Sequence, residues 1–251
     1  MKRLMDLALL LSSSCICHSS FVIRHSSFVI HHSSFAAPDN PSTTPAPITL
    51  GALLGQIDAE AGKGPFDVVF VGDSITYGWR GAGKASWQKL TAHRKMLNTG
   101  VPGSRTEQVL WQLQNTALKD QRPKVFVLMI GTNNLSANRG APSTITGIEA
   151  GVQALRQQAP DAKIVLMSVL PHPQNEGVRP TRTVKTINAA ITKLADGKTL
   201  HYLDIDGKFL DAEGNVNLTL LPDRLHPSAQ GYEIWEAALA PLLDELLRAK
   251  P

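Results

Sequence analysis

The sequence predicts an α/β domain built around a mainly parallel sheet. Three observations lead there. Short, continuous apolar runs stop at Gly, Asn or Pro; stretches with helical apolar spacing lie between them; and the two kinds alternate along the chain. Parallel neighbours need a crossover, so helices must cover both faces of such a sheet, and ligands collect beyond the carboxyl ends of its strands.

The elements follow in order. Val68-Val69-Phe70-Val71 reads as a strand buried on both faces and ends at Gly72-Asp73-Ser74. Met96-Leu97, before Asn98-Thr99-Gly100, is a weaker second strand. Val125 to Ile130 (VFVLMI) is the strongest, with Pro123 at its entrance. Lys163 to Leu170 (KIVLMSVL) stops at Pro171, and Leu200 to Ile205 (LHYLDI) is the fifth. Helical spacing joins Val109, Leu110 and Leu113, then Ile148, Val152 and Leu155, then Ile187, Ala190, Ile191 and Leu194. Ile234 to Leu247 closes the chain.

The 251 residues are 43% hydrophobic, which excludes wholesale disorder and leaves room for one ordinary core. No apolar stretch reaches the ~18 residues of a membrane span, so no stable span is expected. Met1-Lys2-Arg3 followed by Leu4 to Leu11 has the form of a secretory signal, and Ser34-Phe35-Ala36 offers small residues for cleavage. Residues 1–36 are therefore expected to be a signal peptide or disordered leader, residues 37–47 a Pro/Ser/Thr linker, and residues 48–251 the catalytic domain. The expected location is secreted or periplasmic. The leader carries a seven-residue repeat around HSSFVI, both cysteines and four of the eight histidines. It also holds three of the 25 Lys and Arg residues and one of the 21 Asp and Glu residues, so the rest carries 22 against 20. A nearly neutral body without a basic run gives no support for nucleic-acid binding.

The strand ends carry the chemistry. Ser74 follows the first strand, Gly103 the second, and Asn133 the third, in Gly131-Thr132-Asn133-Asn134. Asp223 and His226 stand just before the last helix. Taken singly, Ser74 could cap a helix, Gly103 could serve a turn, Asn133 could stabilise one, and Asp223 with His226 could be a surface ion pair. Taken together they supply a hydroxyl nucleophile, a base with its own carboxylate, and neutral donors for an oxyanion.

In these four blocks the sequence resembles the SGNH (GDSL) hydrolase family over roughly residues 66 to 247. Gly103 to Trp111 (GSRTEQVLW) and Lys124 to Asn134 (KVFVLMIGTNN) are similar to its platelet-activating-factor acetylhydrolase catalytic-subunit branch. The resemblance implies a flavodoxin-like three-layer α/β/α sandwich with a five-stranded sheet, and ester hydrolysis without metal or other cofactor. It implies a triad of Ser74, His226 and Asp223, and an oxyanion hole made by the Ser74 and Gly103 backbone N–H groups with the Asn133 side chain. Asp73, Asn134 and His172 are further expected to belong to the substrate loops. Glycine at 103 is expected because a side chain there would obstruct close approach. Pro102 departs from the branch, which usually has another glycine there.

The motif G-x-S-x-G is not met, since Thr76 stands where it needs glycine, which argues against an α/β-hydrolase. Gly78 to Lys84 fits G-x-x-x-x-G-K, but Ala85 replaces the required hydroxyl and no strand directly precedes it, so no nucleotide is expected and a flexible loop rimming the site is the simpler reading. No His/Asp/Glu cluster has metal spacing. Trp79, Trp87 and Trp111 are read as core, with stacking on sugar rings as the alternative. The expected function is hydrolysis of short-chain esters, acetyl groups on carbohydrate first. A lipid-directed lysophospholipase or acetylhydrolase is the alternative within the class, and an inactive carbohydrate-binding module the alternative outside it. The expected partner is a small-molecule or polysaccharide ester.

Overall fold

The computed structural model describes residues 40–172 and 182–248. Five strands, β1 (Val68–Gly72), β2 (Met96–Asn98), β3 (Val125–Met129), β4 (Lys163–Met167) and β5 (Leu200–Leu203), form one sheet in the order β2-β1-β3-β4-β5. Every neighbouring pair is parallel. This is the flavodoxin-like order, in which the connections reverse direction between β1 and β3 and open a crevice at the strands' carboxyl ends.

The α-helices among the described residues are α1 (Gly51–Ala61), α2 (Ser74–Tyr77), α3 (Lys84–Thr91), α4 (Thr106–Asn115), α5 (Thr132–Ser136), α6 (Gly140–Gln158), α7 (Arg182–Ile191) and α8 (Ala229–Arg248). Side chains alternate across the sheet, so each strand feeds two cores. Val69, Phe126 and Ile164 lie side by side in register, as do Val71 and Leu128, and pack with α4, α6 and α7. Val68, Phe70, Val127, Met129 and Met167 face the other way, onto Ile75, Leu90 and the apolar face of α8. Fully burying one such side chain contributes roughly 1.5–3 kcal/mol before entropy is counted. Phe70, Trp79, Trp87, Tyr232 and Trp235 form an aromatic cluster in the second core, with ring centroids 4.8 Å apart for Trp79–Tyr232 and 4.9 Å for Trp79–Trp235. Trp79 is thus core and the half-buried Trp87 packs against it, whereas Trp111 is half-buried on α4 outside the aromatic cluster.

The elements differ from expectation where burial and strand pairing part company. β4 ends at Met167 rather than Leu170. Val169 and Leu170 are apolar because they are buried, but the Val169 backbone bonds to the Asn188 side chain, its N–H and C=O each 2.9 Å from the carboxamide. β5 stops at Leu203, because the N–H groups of Ile205 and Asp206 turn to Ser168 Oγ at 2.9 and 3.1 Å. The Gly78 to Lys84 stretch is no flexible rim. It forms a 3₁₀ turn and the approach to α3, and a Cβ at Gly78 or Gly83 would come within 2.0 or 2.7 Å of Tyr232. Those glycines fit the aromatic cluster, which explains the phosphate-loop look of the sequence.

The stretch read as a linker is also different. Asn40 to Ala46 docks on the domain, with Ser42 fully buried and Ala46 N–H donating to Glu107 C=O at 3.1 Å. The leader, residues 1–36, lies outside the described residues. No helix among the described residues is long and apolar enough to cross a membrane.

Asn188→Ala leaves a buried N–H and a buried C=O of Val169 unpaired, so a loss of about 2–4 kcal/mol in unfolding free energy is expected. Urea denaturation measures it, and a loss below about 0.5 kcal/mol would contradict this account of the β4 end.

Candidate active site

β1 ends at Gly72, and the chain turns at once into α2. Asp73 rather than Ser74 is the N-cap: its Oδ1 accepts from Ile75 N–H at 2.9 Å. Ser74 becomes the first helical residue, with an N–H that no turn of the helix can use. Tyr232 Oη, from α8, donates to Ile75 C=O at 2.6 Å and pins this short helix from below.

The loop ahead of α8 brings His226 and Asp223. Asp223 Oδ1 accepts from the N–H groups of Leu225 (3.0 Å) and His226 (2.7 Å), and Arg224 takes a positive φ of 66° so that the chain can fold back over the carboxylate. The other oxygen, Oδ2, lies 2.6 Å from His226 Nδ1, while His226 Nε2 lies 2.9 Å from Ser74 Oγ. The two side chains stay open to water, 42% exposed for His226 and 56% for Asp223. Partial burial alone would raise the Asp223 carboxyl, but the backbone and ring N–H groups of His226 and the Leu225 N–H outweigh it and hold it below the ordinary carboxylate range.

Two further loops complete the crevice. After β2, Thr99 N–H donates to Phe70 C=O (2.9 Å) and Val101 N–H to Gly72 C=O (3.1 Å), so the loop keeps hugging β1 until Gly103. Gly103 has a φ of 78°, a region that favours glycine, while an added Cβ would meet no protein atom within 4 Å. Backbone conformation, not crowding by the protein, therefore selects the residue. Asn133, near the start of α5, donates from Nδ2 to Ser104 C=O at 2.9 Å and, more weakly, to Asp73 Oδ2 at 3.4 Å. Ser74, His226, Asp223, Gly103 and Asn133 thus gather at the carboxyl ends of β1, β2 and β3, where the strand order reverses.

Residues 70–234 match the GDSL-like Lipase/Acylhydrolase family. The chain belongs to that family. It is 32% identical over 219 residues to platelet-activating factor acetylhydrolase IB subunit alpha1 of Bos taurus, covering 83% of this chain and 91% of that one. It is 33% identical over 188 residues to the alpha2 subunit of Rattus norvegicus, covering 74% and 79%. Among solved structures, a GDSL-like lipase of Bacteroides thetaiotaomicron superposes with a TM-score of 0.57 at 23% identity, over 71% of this chain and 87% of that one. An acetyl esterase superposes with a TM-score of 0.51 at 19% identity, over 72% and 97%. The GDSL hydrolase described here is accordingly a serine hydrolase acting on esters.

Two of the residues expected in substrate loops turn inward in this GDSL hydrolase and are buried. Asn134 is fully buried, its Oδ1 accepting from Thr106 N–H (3.0 Å) and its Nδ2 donating to Thr106 Oγ1 (2.9 Å) and Ser42 Oγ (3.1 Å). It ties backbone together and presents nothing to a ligand. Asp73 is 1% exposed and spends both oxygens on protein N–H groups. His172 is half-buried, its Nε2 3.4 Å from Ser136 Oγ and its basicity lowered by burial. The residues after it, 173–181, lie outside the described set. Among the described residues no cluster of three or more His, Cys, Asp or Glu could hold a metal ion.

The carboxyl of Asp73 has an electrostatic signature. Burial pushes it up to about 7, against the lowering pull of the Ile75 N–H and of His226. The unfolded chain releases this proton near 3.8 and the folded one keeps it to about 7, so rising pH favours the unfolded state between those values. Relative to Asp73→Asn, the unsubstituted protein should lose stability from about pH 4 to about pH 7 and change no further above that. Urea unfolding of both proteins across this range measures it; parallel stability curves would show that Asp73 titrates normally.

Proposed function

We propose that this hydrolase cleaves short-chain esters, acetyl esters first, through Ser74, His226 and Asp223. The observation that carries the reading is the continuous relay from Asp223 Oδ2 through His226 to Ser74 Oγ, with legs of 2.6 and 2.9 Å, standing at the sheet's switch point. As the Ser74 oxygen bonds to the ester carbonyl carbon, its proton passes to His226 Nε2, and Asp223 holds the opposite ring N–H and stabilises the imidazolium. His226 then returns the proton to the departing alkoxide, leaving an acyl-serine. Water enters by the same route, its proton going to His226 and its oxygen to the acyl carbon, and the acid leaves with Ser74 restored.

Negative charge on the carbonyl oxygen would be met by the N–H groups of Ser74 and Gly103 and by the Asn133 amide. Asn133 would give up its 3.4 Å bond to Asp73 for this, a cheap exchange beside the 2.9 Å bond to Ser104 that fixes its plane. One such donor typically supplies about 3–4 kcal/mol of transition-state stabilisation.

The acetyl preference is supported by the curated relatives, which are acetylhydrolases by name. For the alcohol, the reading favours carbohydrate O-acetyl groups. The base and its carboxylate are open to water, and Leu50 (37%) and Leu218 (45%) are the large apolar side chains that stand exposed among the described residues. The described residues thus offer little apolar surface to a lipid face. An exported enzyme, as the leader suggests, would meet such polymers outside the cell. The second reading, a lipid acetylhydrolase, rests on the platelet-activating factor in the relatives' names. No reason remains to retain a disabled module when nucleophile, base and carboxylate stand in hydrogen-bonded register.

p-Nitrophenyl acetate should be hydrolysed by the protein and left essentially untouched by Ser74→Ala, with rates falling along the series from acetate to palmitate. A rise with chain length would overturn the acetyl preference, and an active Ser74→Ala would end the serine mechanism. The rate should also fall in acid while Asp223, held below its ordinary value, is still ionised. A profile flat down to about pH 4 would contradict a histidine base.

A further inference from the structure

Two of the three oxyanion donors, Gly103 and Asn133, stand on separate loops, and a segment outside the family-matched region holds those loops together. Asn40 to Ala46 runs across the starts of α4 and α6. Ser42 C=O accepts from Thr106 Oγ1 at 2.8 Å, and Ser42 Oγ lies 3.1 Å from Asn134 Nδ2 and 2.7 Å from Ser143 Oγ. Ser143 Oγ donates to Asn40 Oδ1 at 2.6 Å, so its only proton is committed there. The direction of the whole chain follows: the Asn134 amide donates to Ser42, Ser42 to Ser143, and Ser143 to Asn40. A fully buried serine so placed has no rotational freedom left for its hydroxyl.

The other end of this chain reaches the site. Asn134 is one peptide from Asn133, and its Oδ1 accepts from Thr106 N–H, three residues beyond Gly103. Asn133 itself donates to Ser104 C=O, next to Gly103. The two loops are thus riveted twice, at Asn133–Ser104 and at Asn134–Thr106, and Ser42 backs the second rivet from outside. The seat for the strap is built in: a Cβ at Gly147 of α6 would fall 2.3 Å from Thr106 Oγ1 and 2.8 Å from Ser42 C=O.

We propose that the strap Asn40–Ala46 is a positioning element of the oxyanion site, acting through Ser42 on Asn134 and so on the spacing of Asn133 and Gly103. This rests on the oxyanion reading given above. A donor displaced by a few tenths of an ångström still lets substrate bind but meets the developing charge poorly, so the effect belongs in kcat. Ser42 and Ser143 touch no substrate; they are positioning residues.

The test uses the full chain with Ser42→Ala, and with Ser143→Ala one hydrogen bond further from the site, each assayed with p-nitrophenyl acetate well below its thermal unfolding midpoint. For Ser42→Ala, kcat should fall about tenfold while KM stays within about twofold, with a smaller fall in kcat for Ser143→Ala. A merely structural role predicts a lowered midpoint with kcat per folded molecule unchanged, and that result overturns the proposal. Should Ser42→Ala fail to fold, Ser143→Ala decides: unchanged kcat overturns the proposal, a selective loss of kcat supports it. Ser74→Ala run alongside separates the levels. If it is inactive while Ser42→Ala turns over normally, only the strap proposal fails; if it is active, the serine reading falls and takes the strap proposal with it.

Discussion

A parallel sheet has no face to leave wet, and this constraint shapes the molecule. β1 and β3, at the centre, are buried along their whole length, so every side chain on them must find apolar neighbours on one side or the other. Two cores result, and the helices that enclose them leave only the strand ends for polar work. Reversal of the strand order between β1 and β3 then opens one crevice, and the loops after β1, β2 and β3 must meet there. Position of the site is a consequence of how the sheet is covered.

Within that crevice, backbone geometry does most of the placing. Asp73 caps α2 and thereby leaves Ser74 at the helix start, Arg224 turns the chain back so that Asp223 can hold His226, and the loop after β2 borrows carbonyls of β1 as it runs to Gly103. Charge is distributed unevenly among the carboxyls. Asp223 stands near water among N–H donors and is held ionised, whereas Asp73, only one residue from Ser74, is buried and pushed toward neutrality. Two carboxyls of one site are driven in opposite directions by their surroundings, one toward pairing with the imidazole and the other toward a structural role.

The sequence made the central strands legible, because Val68 to Val71 and Val125 to Met129 are apolar without interruption, and strand ends are where chemistry gathers in such folds. It also pointed to Ser74, Asp223 and His226, whose spacing and order are distinctive. Less legible was whatever depends on which partner a polar atom finds. The sequence offers Ser74 as a helix cap and Asp73 to the substrate, and the fold reverses the two: Asp73 caps α2. Asn134 looked like a second site asparagine, and only the fold shows Thr106 and Ser42 on either side of it. The Asn40 to Ala46 segment has a linker's composition, Pro, Ser and Thr, yet serines and threonines are also what a docked, non-repetitive strand needs to satisfy its neighbours. Val169 and Leu170 prolonged an apolar run past the point where the ladder gives way to Asn188.

The distance along the chain between Ser74 and His226 has one more consequence. Ser74 and His226 are 152 residues apart, and α2, which carries Ser74, is fastened to α8 by the Tyr232 hydroxyl. During synthesis the first core can collapse while α8 is still unmade, but the contact between Ser74 and His226 cannot exist until nearly the whole domain has emerged and the last helix has closed the second core. On the proposed mechanism, esterase turnover is a late and global event in the life of the chain, and its onset marks completed folding of the domain rather than the formation of any one part.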